Sequence, residues 1–428
     1  MNQEISIQEI GDVANIEMGQ SPPGDTYNNS GSGVPLLNGP TEFGSIHPDP
    51  QLWTTAPTRL CRVGDILFCV RGSTTGRMNW ADKEYCIGRG LGAFRAKSDT
   101  TDTRFLYFAI VNDLDRLLSL CAGSVFPNLS RSDIAEFQVP WPSRRMRSAI
   151  ASILGALDDK IELNRKMNET LEQTARAIFQ SWFVDFDPVR AKAEGRRPFG
   201  MDDATAALFP DSFEDSPLGK IPKGWRVQPI NDCVRIAGGS TPSTEKPEYW
   251  VGGTYHWTTP KDLSNLNSPV LLDTERMITE AGLRGISSGL LPAGTVLLSS
   301  RAPIGYLAVS EVPVAINQGY IAMVCDGLLP NLYVLNWARS NLDVIIGRAN
   351  GTTFQEISKG NFRPIPAIVP VKAVLDSFMS SVGSAYRRMV ANLQETKTLM
   401  QLRDTLLPKL MSGELRVKDA EKLAGEKV

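Results

Sequence analysis

The chain has 428 residues, of which 42% are hydrophobic and 21% charged, an ordinary globular balance with room for two to four domains. A formal net charge of −2 and a sequence pI near 5.9 exclude a strongly basic polyanion binder, so any grip on nucleic acid has to be local. Six cysteines with no CxxC pair exclude a disulfide framework, and two histidines (His47 and His256) exclude a His-rich metal centre.

The first residues, MNQEISIQEI, lack the basic and apolar regions of a signal peptide. No apolar run approaches the length of a membrane span, so a cytoplasmic protein is expected. Next comes a region of short strand-like runs and polar loops: IGDVANIEMGQSP from Ile10, GDILFCVRG from Gly64, CIGRGLGAF from Cys86 and FPNLSRSDI from Phe126. Pro142 closes it. A long helix follows, with Ile150, Leu154, Leu157, Ile161, Leu171, Ala175, Ile178 and Trp182 at spacings that keep one apolar seam, shared by Asn164 and Asn168. The helix runs into the aromatic group Phe179, Trp182, Phe183 and Phe186.

After a connector rich in Pro, Gly and charge, the order repeats. INDCVRIAGGSTP from Ile230 matches the stretch from Ile10, GTVLLSSRA from Gly294 that from Gly64, AINQGYIAM from Ala315 that from Cys86, and FQEISKGNF from Phe354 that from Phe126. The shift that carries Phe126 onto Phe354 also carries Pro142 onto Pro370. It carries Leu154 onto Val382, Ile161 onto Met389 and Asn164 onto Asn392 in a second long helix. That helix has the seam Leu375, Phe378, Val382, Ala385, Met389, Asn392, Thr396, Leu399, Leu406 and Leu410. A buried Asn in such a seam fixes register at a cost in stability, so Asn164 and Asn392 are expected to mark the register of an antiparallel helix pair.

The expected division is 1–143 and 226–370 for the two mixed domains, 144–186 and 371–412 for the helices, 187–225 for the linker and 413–428 for a polar, fraying tail.

No phosphate loop of the form GxxxxGK[ST], no GxGxxG after a strand and no nucleophile–histidine pair is present. What the halves share is polar loops at matching places. In the first half these offer Gln20, Ser21, Arg71, Ser73, Thr74, Arg77, Arg89 and Arg131. In the second they offer Thr241, Lys261, Arg301, Tyr306, Gln318, Lys359 and Asn361. Such side chains read base edges or hold phosphates, although Ser, Thr, Gly and Pro also serve turns.

IELNRKMNETLEQTARAIFQSWFVDFDPVRAK, FPDSFEDSPLGKIPKGW, SSRAPIGYLAVS with AINQG, and LRDTLLPKLMSGELRV together resemble the specificity subunits of type I restriction-modification systems over nearly the whole chain. The resemblance implies an α+β architecture: two tandem α/β target-recognition domains held apart by two long antiparallel coiled-coil helices as a pseudo-twofold repeat. Each domain would read one half of a split double-stranded DNA target. The subunit would be non-catalytic. Two methyltransferase subunits would bring S-adenosylmethionine, and restriction subunits would bring ATP and Mg2+ chemistry, with no cofactor on this chain. RGSTTGRM and IGRGLGAF depart from the pattern that the second half keeps.

A helix of about 38 residues rises about 57 Å, enough to hold two readers over separate major-groove faces. The aromatic group is expected either to dock the partner subunits or to cap the helix onto its own domain. The alternatives are a stand-alone restriction or modification enzyme, and a duplicated module for another ligand.

Overall fold

A computed structural model describes residues 5–121, 127–301, 303–351 and 355–425. Phe126, Ala302 and Phe354 of the matched motifs lie outside them. The chain forms two units, residues 1–163 with 396–428, and residues 164–395.

In the first unit, Ala14–Met18, Leu91–Ala96, Ile66–Cys69 and Met78–Trp80 make an antiparallel four-stranded sheet in that spatial order. The Ile66–Cys69 strand is buried throughout, as a central strand covered on both faces must be. A second four-stranded sheet holds Tyr27–Asn28, Leu52–Thr54, Val34–Leu37 and Cys86–Ile87. The helix Thr100–Asn112 starts where Asp99 accepts a hydrogen bond from the Asp102 amide, a standard N-cap. Its Phe105, Phe108 and Ala109 share a core with Phe68 and Phe94 of the sheet.

The same core takes in Ile150, Leu154 and Leu157 of the first long helix and Leu399, Leu406 and Leu410 of the second. Asp158 and Arg403 pair across these two helices at 2.8 Å. The C-terminal residues, expected to fray, instead form the helix Val417–Gly425. Its Ala420 is fully buried in that core, which anchors the segment.

In the second unit, Arg235–Ala237, Tyr320–Val324, Val296–Ser300, Ile304–Ser310 and Val270–Leu271 form a five-stranded sheet. Arg276–Ile278, Tyr255–Thr258 and Val314–Ile316 form a three-stranded one. The unit also contains residues 187–225, which carry the helices Asp187–Ala193 and Asp203–Ala207 and the hairpin Phe213–Ser216 with Gly219–Pro222. Val189, Phe209, Ile221 and Trp225 from this stretch are buried in the unit's core.

The element order is common to both units. Ile7–Glu9 pairs with Gln138–Pro140 in one, and Arg226–Pro229 pairs with Pro366–Val369 in the other. The Ile10 amide donates to the Phe137 carbonyl, and the Ile230 amide to the Ile365 carbonyl, both at 2.9 Å.

The long helices span Arg144–Phe183, 40 residues, and Lys372–Ser412, 41 residues. Within the second unit they run antiparallel, because Asn168 meets Asn392 whereas Phe179 and Phe183, further along, meet Phe378. Asn164, Asn168 and Asn392 are all buried. The amide-to-amide bond joins Asn392 to Asn168 at 2.8 Å, while Asn164 Nδ2 reaches the Asn392 carbonyl at 3.5 Å and Glu395 Oε2 at 2.8 Å. The seam thus has three asparagines, and Asn168 rather than Asn164 supplies the side-chain partner of Asn392.

Docking of partners by the aromatic group is corrected by burial. Phe179, Trp182, Phe183 and Phe186 retain only 3%, 8%, 3% and 7% of their exposure. They pack on Tyr333, Phe378, Phe209 and Trp225 of the same unit. The intramolecular cap is the form that the sequence takes. Phe186 sits in the left-handed region at φ 55, a conformation that a bulky residue keeps only where packing holds it, here against Phe213 and Trp225.

Candidate nucleic-acid interface

Each unit joins four loops by one hydrogen-bond circuit. In the first, the strand Ala14–Met18 delivers Gly19 and Gln20 onto the chain around Gly88, with Gly19 N donating to Leu91 O and Gln20 N to Ile87 O, both at 2.9 Å. A Cβ on Gly19 would stand 2.1 Å from Gly88 O, so the approach requires glycine. Val70 N then donates to Gly90 O at 2.9 Å, Leu129 N to Val70 O at 3.0 Å, and Arg71 bridges to Asn128.

The second unit repeats three of these four bonds and the bridge. Ser240 N donates to Ile316 O at 3.1 Å, Ser300 N to Gly319 O at 2.8 Å and Ile357 N to Ser300 O at 3.0 Å, while Arg301 bridges to Glu356. Gly239 is the counterpart of Gly19, with a Cβ position 1.7 Å from Ile316 O. Both circuits end at a short capped helix. Ser130 Oγ accepts from Asp133 N in the first unit, and Ser358 Oγ from Asn361 N in the second.

The circuits carry different side chains. In the first unit Gln20, Arg71, Ser73, Arg77, Arg89 and Arg131 are exposed, and Ser21 and Thr74 are half-buried. Ser21 Oγ accepts from the Arg89 amide at 3.5 Å, which ties two of the expected loops together. Arg77 donates to the Pro40 carbonyl at 3.4 Å. Among the described residues, Arg71, Arg89 and Arg131 meet no carboxylate, so three cationic groups remain available to an anion.

In the second unit Thr241 Oγ1 donates to Gln318 Oε1 at 2.7 Å. Lys359 lies over the same loop, with Nζ 2.8 Å from where a Gly238 Cβ would stand. Other expected contacts are engaged elsewhere. Arg301 pairs with Glu356 at 3.6 Å, and Lys261 with Glu275 at 2.8 Å, which raises the Lys261 pKa. Asn361 Nδ2 donates to the Arg348 carbonyl at 3.0 Å, so that amide fixes a turn. Tyr306 is half-buried, its backbone N–H held by Ser299 Oγ at 2.8 Å.

Side chains that hold the first loop in place escaped the sequence reading. Trp257 Nε1 donates to Ser240 O at 3.4 Å and Trp250 Nε1 to Ser243 O at 2.9 Å. In the first unit the Thr58 hydroxyl donates to Gln20 O, and the Tyr27 hydroxyl to Pro22 O at 3.3 Å. Their only trace in the sequence is a pair of aromatic clusters, Tyr249-Trp250 and Tyr255-His256-Trp257.

Chemically, each circuit is a rigid backbone frame that presents amide, hydroxyl and cationic groups, the set that contacts base edges and phosphates. Among the described residues no helix is long and apolar enough to cross a membrane.

A sequence model of the family described as "Type I restriction modification DNA specificity domain" matches residues 2–173 and again 222–374. The chain is 39% identical to the type I restriction enzyme MjaIX specificity subunit of Methanocaldococcus jannaschii over 329 residues, 75% of this chain and 71% of that protein. It is 26% identical to the type I restriction enzyme HindI specificity subunit of Haemophilus influenzae over 403 residues, 82% and 86% of the two chains. Its fold is similar to the crystal structure of the type I restriction-modification system S subunit from M. genitalium, with a TM-score of 0.61 at 17% identity, covering 96% of each chain. With the family model found once in each repeat, the chain belongs to the type I restriction-modification DNA specificity family, and its role is that of a non-catalytic subunit supplying DNA sequence specificity.

Proposed function

We propose that each unit reads one half of a split double-stranded DNA target through the loops joined by its circuit. The reading is carried by one observation: a shared backbone frame, three loop hydrogen bonds and a bridge common to both units, displays different tips. Gln20, Arg89 and Arg131 stand in one unit where Ser240, Gln318 and Lys359 stand in the other, while Arg71 and Arg301 share a place. A shared frame with unlike reading groups suits two half-sites of different sequence.

In this reading the long helices fix the gap between the half-sites, so helix length sets gap length. Association with DNA and with other subunits of the system follows from the family. Specifically, two methyltransferase subunits carrying S-adenosylmethionine, and restriction subunits using ATP and Mg2+, assemble on this chain. They supply much of the phosphate grip, which makes a net charge of −2 sufficient here.

Titration of labelled duplex against the chain alone and with its methyltransferase subunits tests this. The chain alone binds weakly, with a steep loss on adding salt, and the assembly binds its target tightly. Tight specific binding by the isolated chain at physiological salt would overturn the division of labour.

A further inference from the structure

We propose that Arg276 is a specificity-determining residue of the second unit, a guanidinium stacked in advance to meet a guanine edge. This rests on the reading that the chain recognises DNA sequence.

Among the described residues four arginines lie over aromatic rings: Arg116 on Phe137 at 4.2 Å, Arg147 on Trp141 at 4.6 Å, Arg190 on Phe213 at 5.6 Å and Arg276 on Trp250 at 3.5 Å. The first three also hydrogen-bond within the fold. Arg116 donates to Asp113 at 3.1 Å, Arg147 to Asp102 at 2.7 Å, and Arg190 to the Asp185 carbonyl at 2.7 Å. Those guanidinium groups are structural.

Arg276 differs. It is exposed, makes the closest ring approach of the four and lies 5.3 Å from the Trp257 ring as well, yet its N–H donors meet no acceptor among the described residues. Stacking fixes the plane of the group while leaving its donor edge open. That fork matches the O6 and N7 acceptors of guanine, and little side-chain freedom remains to be lost on contact. The site is also the right one. Trp257 lies opposite Arg276 across the strand pair, and the two indoles that carry Arg276 are the ones that hold Ser240 and Ser243. Thr241, between them, bonds Gln318.

The test maps methylated bases across the genome of a host carrying the complete complex with the native chain, Arg276→Ala or Arg276→Lys. The native complex comes first: if it yields no bipartite target, the broader reading fails before Arg276 is reached. For both variants, discrimination at one base pair of one half-site falls about tenfold or more, and the other half-site is unchanged. Lysine does not restore it, because a point charge lacks the fork. If the alanine variant melts early, the lysine variant, which keeps charge and an apolar stem, carries the test. An unchanged target at an unchanged rate overturns the proposal. So does a uniform fall over all sequences with the target intact, the mark of a phosphate or structural contact.

Discussion

Asn392 Nδ2 donates to Asn168 Oδ1 at 2.8 Å between two helices in a largely apolar seam that also holds Asn164, and both side chains are buried. Asn168 in turn donates to the Met389 carbonyl at 3.4 Å. A buried amide that loses its partner keeps the full cost of leaving water, whereas removing both partners together costs much less. Asn168→Leu alone therefore destabilises the chain by about 1–3 kcal/mol. The Asn168→Leu, Asn392→Leu double variant costs clearly less than the sum of the two singles. Denaturant unfolding of the four proteins in a double-mutant cycle measures this, and strict additivity would remove the register role.

Asp102 and Arg147 form a buried two-point ion pair, with Arg147 Nε and Nη2 at 2.8 and 2.7 Å from the two carboxylate oxygens. Burial pushes the Asp102 carboxyl up, but the hydrogen bonds from Arg147 and Ser98 outweigh it and hold the pKa below its usual value. A carboxyl depressed in the folded state contributes stability that is complete above its unfolded pKa, near 3.8, and lost as pH falls through the lower folded value. Arg147→Leu leaves a buried carboxylate without its ion-pair partner, with Ser98 still bonded to it, and costs about 3–5 kcal/mol at neutral pH. Without Arg147 burial raises the Asp102 carboxyl, so that difference begins to shrink above pH 3.8, as the variant protonates, and is smallest once pH has fallen below the depressed value of the native protein. A pH series of thermal melts for both proteins checks the sign.

Phe183 makes ring contacts with Phe179, Tyr333, Phe378 and Trp225 at 4.9–5.8 Å. Phe183→Ala removes the centre of that cluster and costs about 3–5 kcal/mol. The loss is one of stability, read as an earlier midpoint in denaturant. An unchanged midpoint with failed assembly would return this group to the role of a docking surface.

Gly239→Ala and Gly19→Ala each place a methyl inside 2.2 Å of a carbonyl oxygen, which forces the first loop off its frame. Each change is expected to cut methylation at the native target at least tenfold, with relaxed sequence preference confined to one half-site. Mapped methylation beside a melting curve separates this from global unfolding.

The sequence made much of this visible, unevenly. Repetition survived because strands and loop packing constrain local residue types: Ile10 and Ile230 hold matching bonds, and Gly19 and Gly239 each press against a carbonyl oxygen where no Cβ fits. The seam was legible for the same reason. Which asparagine faces which was not, because neighbouring turns of a helix differ by one small rotation and Asn164 and Asn168 both lie in the seam. The aromatic run looked like a surface or a cap equally well, since its partners Phe209, Trp225, Tyr333 and Phe378 are distant in sequence. Arg276 was invisible for a related reason: only folding brings Trp250 and Trp257 to its two sides.

The central claim is that two circuits read two different half-sites. Its most direct test replaces Gln20-Ser21 and Arg89 by Ser-Thr and Gln, the residues at the matching positions of the second unit, and maps methylated bases in a host carrying the assembled complex. The native complex yields two unlike half-sites at a fixed gap, and the variant changes one half-site while the other half and the gap stay as they were. A continuous target, or a substitution in one unit that alters both halves, would contradict the account.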